Sequence, residues 1–341
     1  MMKLNAKIIL GLVAAVTLVL GTGCGKKEEQ IKGIKIGVSL YDAHDTFIAE
    51  LMNEFNNDIT EEANKQGITI SVETEDSEGS QAKQNSAVQR LIEQKACDIL
   101  CVNLVDRTDP TAIIDAAQQH DIPVIFFNRE LVEGDLERWN KLYYVGADAR
   151  QSGIYEGELA AEAFLENPSY DKNGDGVIQY VMFEGEAGHQ DSIVRTETSV
   201  GTLMEKKLKV DKLSSVIANW NRAQASSKMS TLIEKFGDEI ELVLANNDDM
   251  ALGVIDAYNS AHIMNSKRPV IVGIDGTNDG KNAVKAGDMY GTVYNDKEGQ
   301  AKAMIDLITA LAVKKDTSEI QFTNGRYIRL PYVKISQQDM H

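Results

Sequence analysis

From Ile34 onward the chain alternates short β-branched apolar runs with stretches in which apolar residues return every three or four positions. The strand candidates are 34–41, 68–74, 98–104, 123–128, 177–183, 241–246 and 270–275. Between most of them lie amphipathic segments such as 82–94, which places Ala87, Val88, Leu91 and Ile92 on one helical face. Strand and helix in strict alternation predict a parallel sheet covered on both faces. Two such series in one chain predict an α/β fold of two doubly wound parallel-sheet lobes side by side. In sheets of this kind ligands bind beyond the carboxyl ends of the strands. The segments there are DAHDTF, NRE, GEAGHQDSIVR, NND and DG, rich in carboxylates, amides, histidine and arginine. Such a set points to a cleft that reads hydroxyl groups. No G-x-G-x-x-G or G-x-x-x-x-G-K-[ST] loop follows any strand, which argues against a nucleotide cofactor.

The first residues change the compartment. Lys3 and Lys7 precede an apolar run, Ile8 to Leu20, that is short for a permanent membrane span, and small residues then lead to Cys24. This resembles the lipobox of bacterial lipoproteins, with Gly21 where a leucine is usual and Leu20 one position early. The resemblance implies a signal peptide over 1–23, a linker over 24–33 and lipidation of Cys24. Two acyl chains would anchor the protein stably to the outer face of the cell membrane, whereas plain secretion is the alternative. The remainder is too long for one ordinary core and suits two lobes. Its formal charge of −17 becomes two units more negative once Lys3 and Lys7 are removed. So acidic a surface disfavours nucleic acid. In the run ACDILCVNL, Cys97 and Cys101 would lie roughly 13 Å apart along a strand, beyond disulfide reach. Both read as buried apolar side chains.

The segment DKNGDGVIQ is the sharpest local motif. Oxygen-bearing side chains fall at relative positions 1, 3, 5 and 9, as Asp171, Asn173, Asp175 and Gln179; Gly176 allows the turn and Val177 offers a carbonyl. An EF-hand would add a bidentate glutamate at position 12, which here is Met182. A plain Asp/Asn/Gly surface turn is the alternative. The truncated loop resembles that of the galactose and glucose receptors of bacterial importers, which a distant glutamate completes. The resemblance puts that glutamate at Glu241, in IELVLANND, and implies a structural calcium ion.

A pyranose has a rim of hydroxyls and two weakly apolar faces, so a tight site needs planar polar groups at the edge and aromatic rings above and below. Phe47 and Trp220 sit in polar segments, where a core aromatic is less expected. The resemblance to galactose/glucose-binding proteins, periplasmic binding proteins of type 1, runs from Ile34 to Val333. It implies sugar-binding roles for Asp45 and Phe47 in GVSLYDAHDTF and for Asn128 in FFN, followed by Arg129 where lysine is usual. GEAGHQDSIVR, which looks like the family's GExGHxDxxxR, carries His189, Asp191 and Arg195. Trp220 is the second ring, and Asn247, Asp275 and Asn295 complete the set. Asp42, Ala43, His44 and Gly276 depart from the pattern nearby.

The same resemblance implies a three-segment hinge with crossings near Ala147, Asn295 and Leu330. The first lobe would be 34–147 with 295–330, the second 148–294 with 331–341. It implies a monomeric, non-enzymatic receptor that binds D-galactose or D-glucose and delivers it to an ABC transporter permease. Presentation of sugar to a chemoreceptor or sensor kinase, or binding of another pyranose, is the alternative. A repressor would need an N-terminal helix-turn-helix where this chain has an export signal. A glycosidase would need two carboxylates about 5 to 9.5 Å apart across a glycosidic bond, which sequence does not exclude.

Overall fold

The computed structural model describes residues 33–340, so the signal segment, Cys24 and nearly all of the linker lie outside the described residues. The chain runs β1 Ile34–Leu40, α1 Thr46–Gln66, β2 Ile70–Asp76, α2 Gln81–Glu93, β3 Ile99–Val102, α3 Thr111–Gln119, β4 Val124–Phe127, α4 Glu133–Leu136 and β5 Leu142–Ala147. It continues α5 Ala149–Glu166, β6 Ile178–Glu184, α6 Gln190–Glu205, β7 Val210–Ile217, α7 Arg222–Phe236, β8 Leu242–Ala245, α8 Asp248–Ser260, β9 Val270–Asp275, α9 Asn278–Ala286 and β10 Gly291–Asn295. Then come α10 Lys297–Ile308, β11 Tyr327–Leu330 and β12 Tyr332–Ser336.

The strands form two six-stranded sheets, ordered β11-β5-β4-β3-β1-β2 and β12-β10-β9-β8-β6-β7. Pairing is parallel except for β12 on β10. The two doubly wound lobes expected from the alternation are therefore present. Each sheet is buried on both faces. Phe55 and Phe127 pack on one side of the first while Leu100, Phe126 and Tyr144 pack on the other. Met229 and Met250 face Leu159 and Phe164 across the second. This two-sided burial is why the central strands read as unbroken apolar runs.

The chain changes sheet three times. It leaves the first after Ala147, returns from the second after Asn295 into α10, which packs on α1, and crosses again between Leu330 and Tyr332.

Strands β5, β7, β10, β11 and β12 were not among the seven candidates. The outer strand β7 carries Asp211, Lys212, Ser214 and Ser215, mostly exposed or half-buried, which breaks its apolar run. Only Pro331 separates β11 from β12, so they read as one segment although they belong to different sheets. Cys97 precedes β3 instead of sharing its strand with Cys101; both thiols are free and buried, and burial pushes the Cys97 thiol up to about 11.

Candidate functional site

The strand carboxyl ends of both sheets face one small cavity of about 40 Å³. Tyr41, Asp45, Phe47, Asn128 and Arg129 line it from the first lobe, and His189, Asp191, Arg195, Trp220 and Asp275 from the second. A larger groove of about 860 Å³ lies at the amino ends of β9 and β10. Glu162, Lys172, Lys267 and Tyr290 line it, and none of the crevice residues reaches it.

Several cavity residues are placed by helix capping. Asp45 caps α1, accepting the Ile48 amide at 2.9 Å, and its other oxygen accepts the Tyr41 hydroxyl. His189 caps α6, its Nδ1 accepting the Asp191 amide at 3.1 Å. That bond leaves the proton of a neutral imidazole on Nε2, free to donate. Burial, then Arg129 and Arg195, hold the His189 pKa well below its usual value. Capping and cavity-lining positions thus coincide at these two residues, because helices here start near where strands end.

Arg195 is the centre of the second-lobe wall. Its Nη1 donates to the Asn246 carbonyl at 2.8 Å and lies 3.6 Å from Asp275; its Nη2 reaches Asp191 at 3.3 Å and the Tyr332 hydroxyl at 3.1 Å. Burial raises the pKa of Asp191 and Asp275 while Arg195 pulls it back down. Gly157 lets the helix bearing Arg195 come this close, since a Cβ there would sit 2.4 Å from the Ser199 carbonyl oxygen. The Asn246 side-chain oxygen accepts from the Gly185 amide and from Ser192, tying β6, α6 and β8 together behind the wall.

Trp220 stands edge-on to His189, ring centroids 5.2 Å apart. Its indole fills the space over Gly185, where a Cβ would lie 2.1 Å from the ring. Across the cavity, Phe47 is anchored in the first-lobe core. Asn128, Trp220 and Asp275 have φ of 60°, 60° and 115°. Such left-handed backbone costs of order 1–3 kcal/mol per residue, and strain of this kind gathers where side chains must be aimed.

Eight of the ten binding residues expected from sequence therefore line one cavity. Asn247 and Asn295 are buried but not in its wall: Asn247 caps α8 and reaches the Trp220 carbonyl, and Asn295 accepts from Gln300. Sequence reasoning gave no role to Tyr41, Glu186, Asn246 or Tyr332. Their partners lie 4 to 137 positions away; Tyr41, Glu186 and Asn246 fall at the ends of strand candidates or in the polar segments after them, and nothing local marked Tyr332.

Far from the cavity, the loop from Asp171 to Gln179 closes on itself. Asp171 accepts from the Gly174 and Gly176 amides, and Asn173, Asp175 and Gln179 are joined through their side chains. Glu241 is buried and accepts from the amides of Lys172 and Gln179. The ammonium of Lys172 turns instead to the Ile240 and Lys267 carbonyls. Three carboxylates and two amide side chains with no cation from the loop's own lysine form a donor set suited to a hard divalent ion.

The profile of the periplasmic binding protein domain matches residues 36–316. The chain belongs to the periplasmic binding protein family. It is 34% identical over 309 residues to the D-galactose/methyl-galactoside binding periplasmic protein MglB of Haemophilus influenzae, 90% of each chain being covered. It is 30% identical over 320 residues to the xylitol-binding protein of Mycolicibacterium smegmatis, covering 92% of this chain and 83% of the relative. An ABC transporter periplasmic solute binding protein from Actinobacillus succinogenes, solved with D-allose, superposes with a TM-score of 0.75 at 20% identity, covering 90% of this chain and 98% of the other. Members of this family are non-enzymatic solute receptors. Among the described residues no helix is long and apolar enough to cross a membrane.

Proposed function

We propose that this binding protein closes its two lobes around a hexopyranose, D-galactose or D-glucose, outside the cytoplasm and hands it to an ABC transporter permease. One observation carries the reading: Phe47 and Trp220, from different lobes, line a single small cavity whose remaining wall is Tyr41, Asn128, His189 and the charged side chains of Asp and Arg residues. Asp191 and Asp275, beside the Arg195 guanidinium, accept from hydroxyls when ionised, while Arg195 and the His189 Nε2 donate to hydroxyl oxygens. Bonds to charged groups contribute about 1.5–3 kcal/mol each, so a sugar lacking one hydroxyl is rejected strongly. Ligand shifts the lobes toward closure only by its differential affinity for the closed form. The galactose named for the Haemophilus relative supports the choice of hexose. Calcium held by Asp171, Asn173, Asp175, the Val177 carbonyl, Gln179 and Glu241 would staple the second lobe, and acylation of Cys24 would tether the chain.

Calorimetric titration with a panel of monosaccharides, with and without a chelator, tests the reading. Galactose or glucose should bind, and the chelator should lower the melting temperature while leaving sugar affinity nearly unchanged. Heat from xylitol but from no hexose would replace the hexose with a polyol, the ligand class named for the Mycolicibacterium relative. Pull-down with permease or with sensor separates delivery from signalling.

A further inference from the structure

The start of α1 serves two directions. Asp45, its cap, and Phe47, in its first turn, line the cavity. Thr46 and Glu50, four positions apart and so neighbours on one helical face, do not line it and meet the second lobe instead. The Thr46 hydroxyl donates to Asp249, in the first turn of α8, at 2.7 Å. Glu50 Oε1 accepts the amide of Asn278, the first residue of α9, at 3.0 Å. That amide is one that a helix start leaves without a partner inside the helix, and it lies at the positive end of the helix. The other Glu50 oxygen accepts from the Lys297 ammonium at 2.7 Å. Lys297 opens α10 just past the Asn295 crossing, and its side chain is 2% exposed. The carboxylate is therefore pinned by a buried cation of its own lobe and aimed at a helix start of the other. The Arg129–Glu186 pair also joins the lobes, both bonds at 3.0 Å, but Arg129 lines the cavity, so closure and ligand contact are not separable there.

We propose that Thr46 and Glu50 are positioning residues that set the affinity of this protein through lobe closure, without touching the ligand and without choosing among ligands. Both bonds join different lobes, so they exist only while the lobes are together. Their free energy favours the closed form whatever the crevice holds. A ligand that needs the closed form binds with an apparent dissociation constant equal to the intrinsic one divided by the closed fraction. Each of these bonds raises that fraction and so lowers every dissociation constant by one common factor. The Glu50–Lys297 pair lies within the first lobe and survives opening. The carboxylate is thus held ready for the Asn278 amide, and closure costs little side-chain entropy at this contact.

The inference rests on the closure part of the proposed function and on no particular sugar. D-Galactose, D-glucose and xylitol are titrated into the mature protein and into Asn278→Pro, Thr46→Val and Glu50→Gln, with dissociation rates by stopped flow and thermal melts as a check on folding. Proline suits the first position of a helix, and Thr277 before it is extended, with φ −59° and ψ 162°. Asn278→Pro therefore removes the amide donor and leaves the Glu50–Lys297 pair in place. It should weaken every ligand that binds by the same factor, about tenfold, through faster dissociation, with the galactose-to-glucose ratio unchanged. Thr46→Val, a second variant that keeps the helix start of α9 intact, should act in the same direction. Glu50→Gln should weaken binding alike and also lower the melting temperature, since the buried Lys297 ammonium then faces a neutral amide. A second readout needs no ligand: single-molecule energy transfer between dyes on Gln89→Cys in α2 and Ser227→Cys in α7, both exposed positions, counts the closed fraction. That fraction should fall in Asn278→Pro by the same factor as affinity. Unchanged affinities, losses that differ between ligands, or an unchanged closed fraction overturn the proposal. A wild type that binds no hexose overturns the hexose reading, and the dye pair then decides the role of Thr46 and Glu50 by itself.

Discussion

On the first-lobe wall of the cavity, Asp45 already has both oxygens engaged by its own lobe, one by the Ile48 amide and one by Tyr41, and Phe47 is part of the core. On the second-lobe wall, the Arg195 Nε and the Trp220 Nε1 are buried with no partner, and Asp191 and Asp275 are held by one shared guanidinium. At Asp45 and Phe47 the first wall is already engaged by its own lobe, whereas the second carries desolvated groups that a ring of hydroxyls could satisfy. Unmade buried bonds are costly, so the free energy of recognition should concentrate on the second lobe, with the first acting as the plate that closes over it.

The largest effect expected is at Arg195. Arg195→Met leaves two carboxylates without their cation, and removing one partner of a buried pair costs about 3–5 kcal/mol. Thermal unfolding should show that loss and calorimetry should detect no sugar binding; a variant of wild-type stability would mean that Asp191 and Asp275 do not depend on Arg195.

The two rings should then behave differently. Trp220→Ala should abolish measurable binding with little change in melting temperature. Phe47→Ala should cost stability as well, about 3–5 kcal/mol for a core aromatic. Equal melting temperatures for the two variants would erase the contrast between the walls. A milder probe is Gly185→Ala, whose Cβ would press on the indole. Overpacking costs about 1–3 kcal/mol, so affinity should fall roughly tenfold or more, and an unchanged dissociation constant would show that the indole can shift freely.

The smallest effect concerns pH. His189 has a folded pKa depressed by burial and by Arg129 and Arg195. Its contribution to stability is therefore present above its ordinary value of about 6.5 and lost as pH falls below that, by at most about 1.4 kcal/mol per pH unit. Asp191 and Asp275, with raised pKa values, act in the opposite direction. The difference in melting temperature between wild type and His189→Gln isolates the imidazole and should shrink from pH 7 to pH 5; a constant difference would mean that His189 is not held neutral.

Much of this site was legible along the chain because its residues lie in the polar segments that follow the strands. Periodicity marked those segments, the resemblance to galactose/glucose-binding proteins marked Asp45 and His189 within them, and in the fold both also cap helices. The fold of two parallel sheets followed from apolar runs that two-sided burial requires. Asn247 and Asn295 obey the same local pattern yet turn their amides away from the cavity, since orientation depends on neighbours that no local pattern describes.

The alternation of seven strands with helices, and the polar residue types that follow those strands, were determined by sequence alone, because burial on both faces of a strand and the unsatisfied amides of a helix start are local demands. Only the tertiary structure decided that Arg129 meets Glu186, 57 positions away, or that Tyr332 reaches Arg195 across 137 positions. The first pair joins the two lobes and the second lies within the second lobe, whose strand β12 is reached only after the third crossing; a guanidinium carries no record in its own neighbourhood of which distant oxygen it will face.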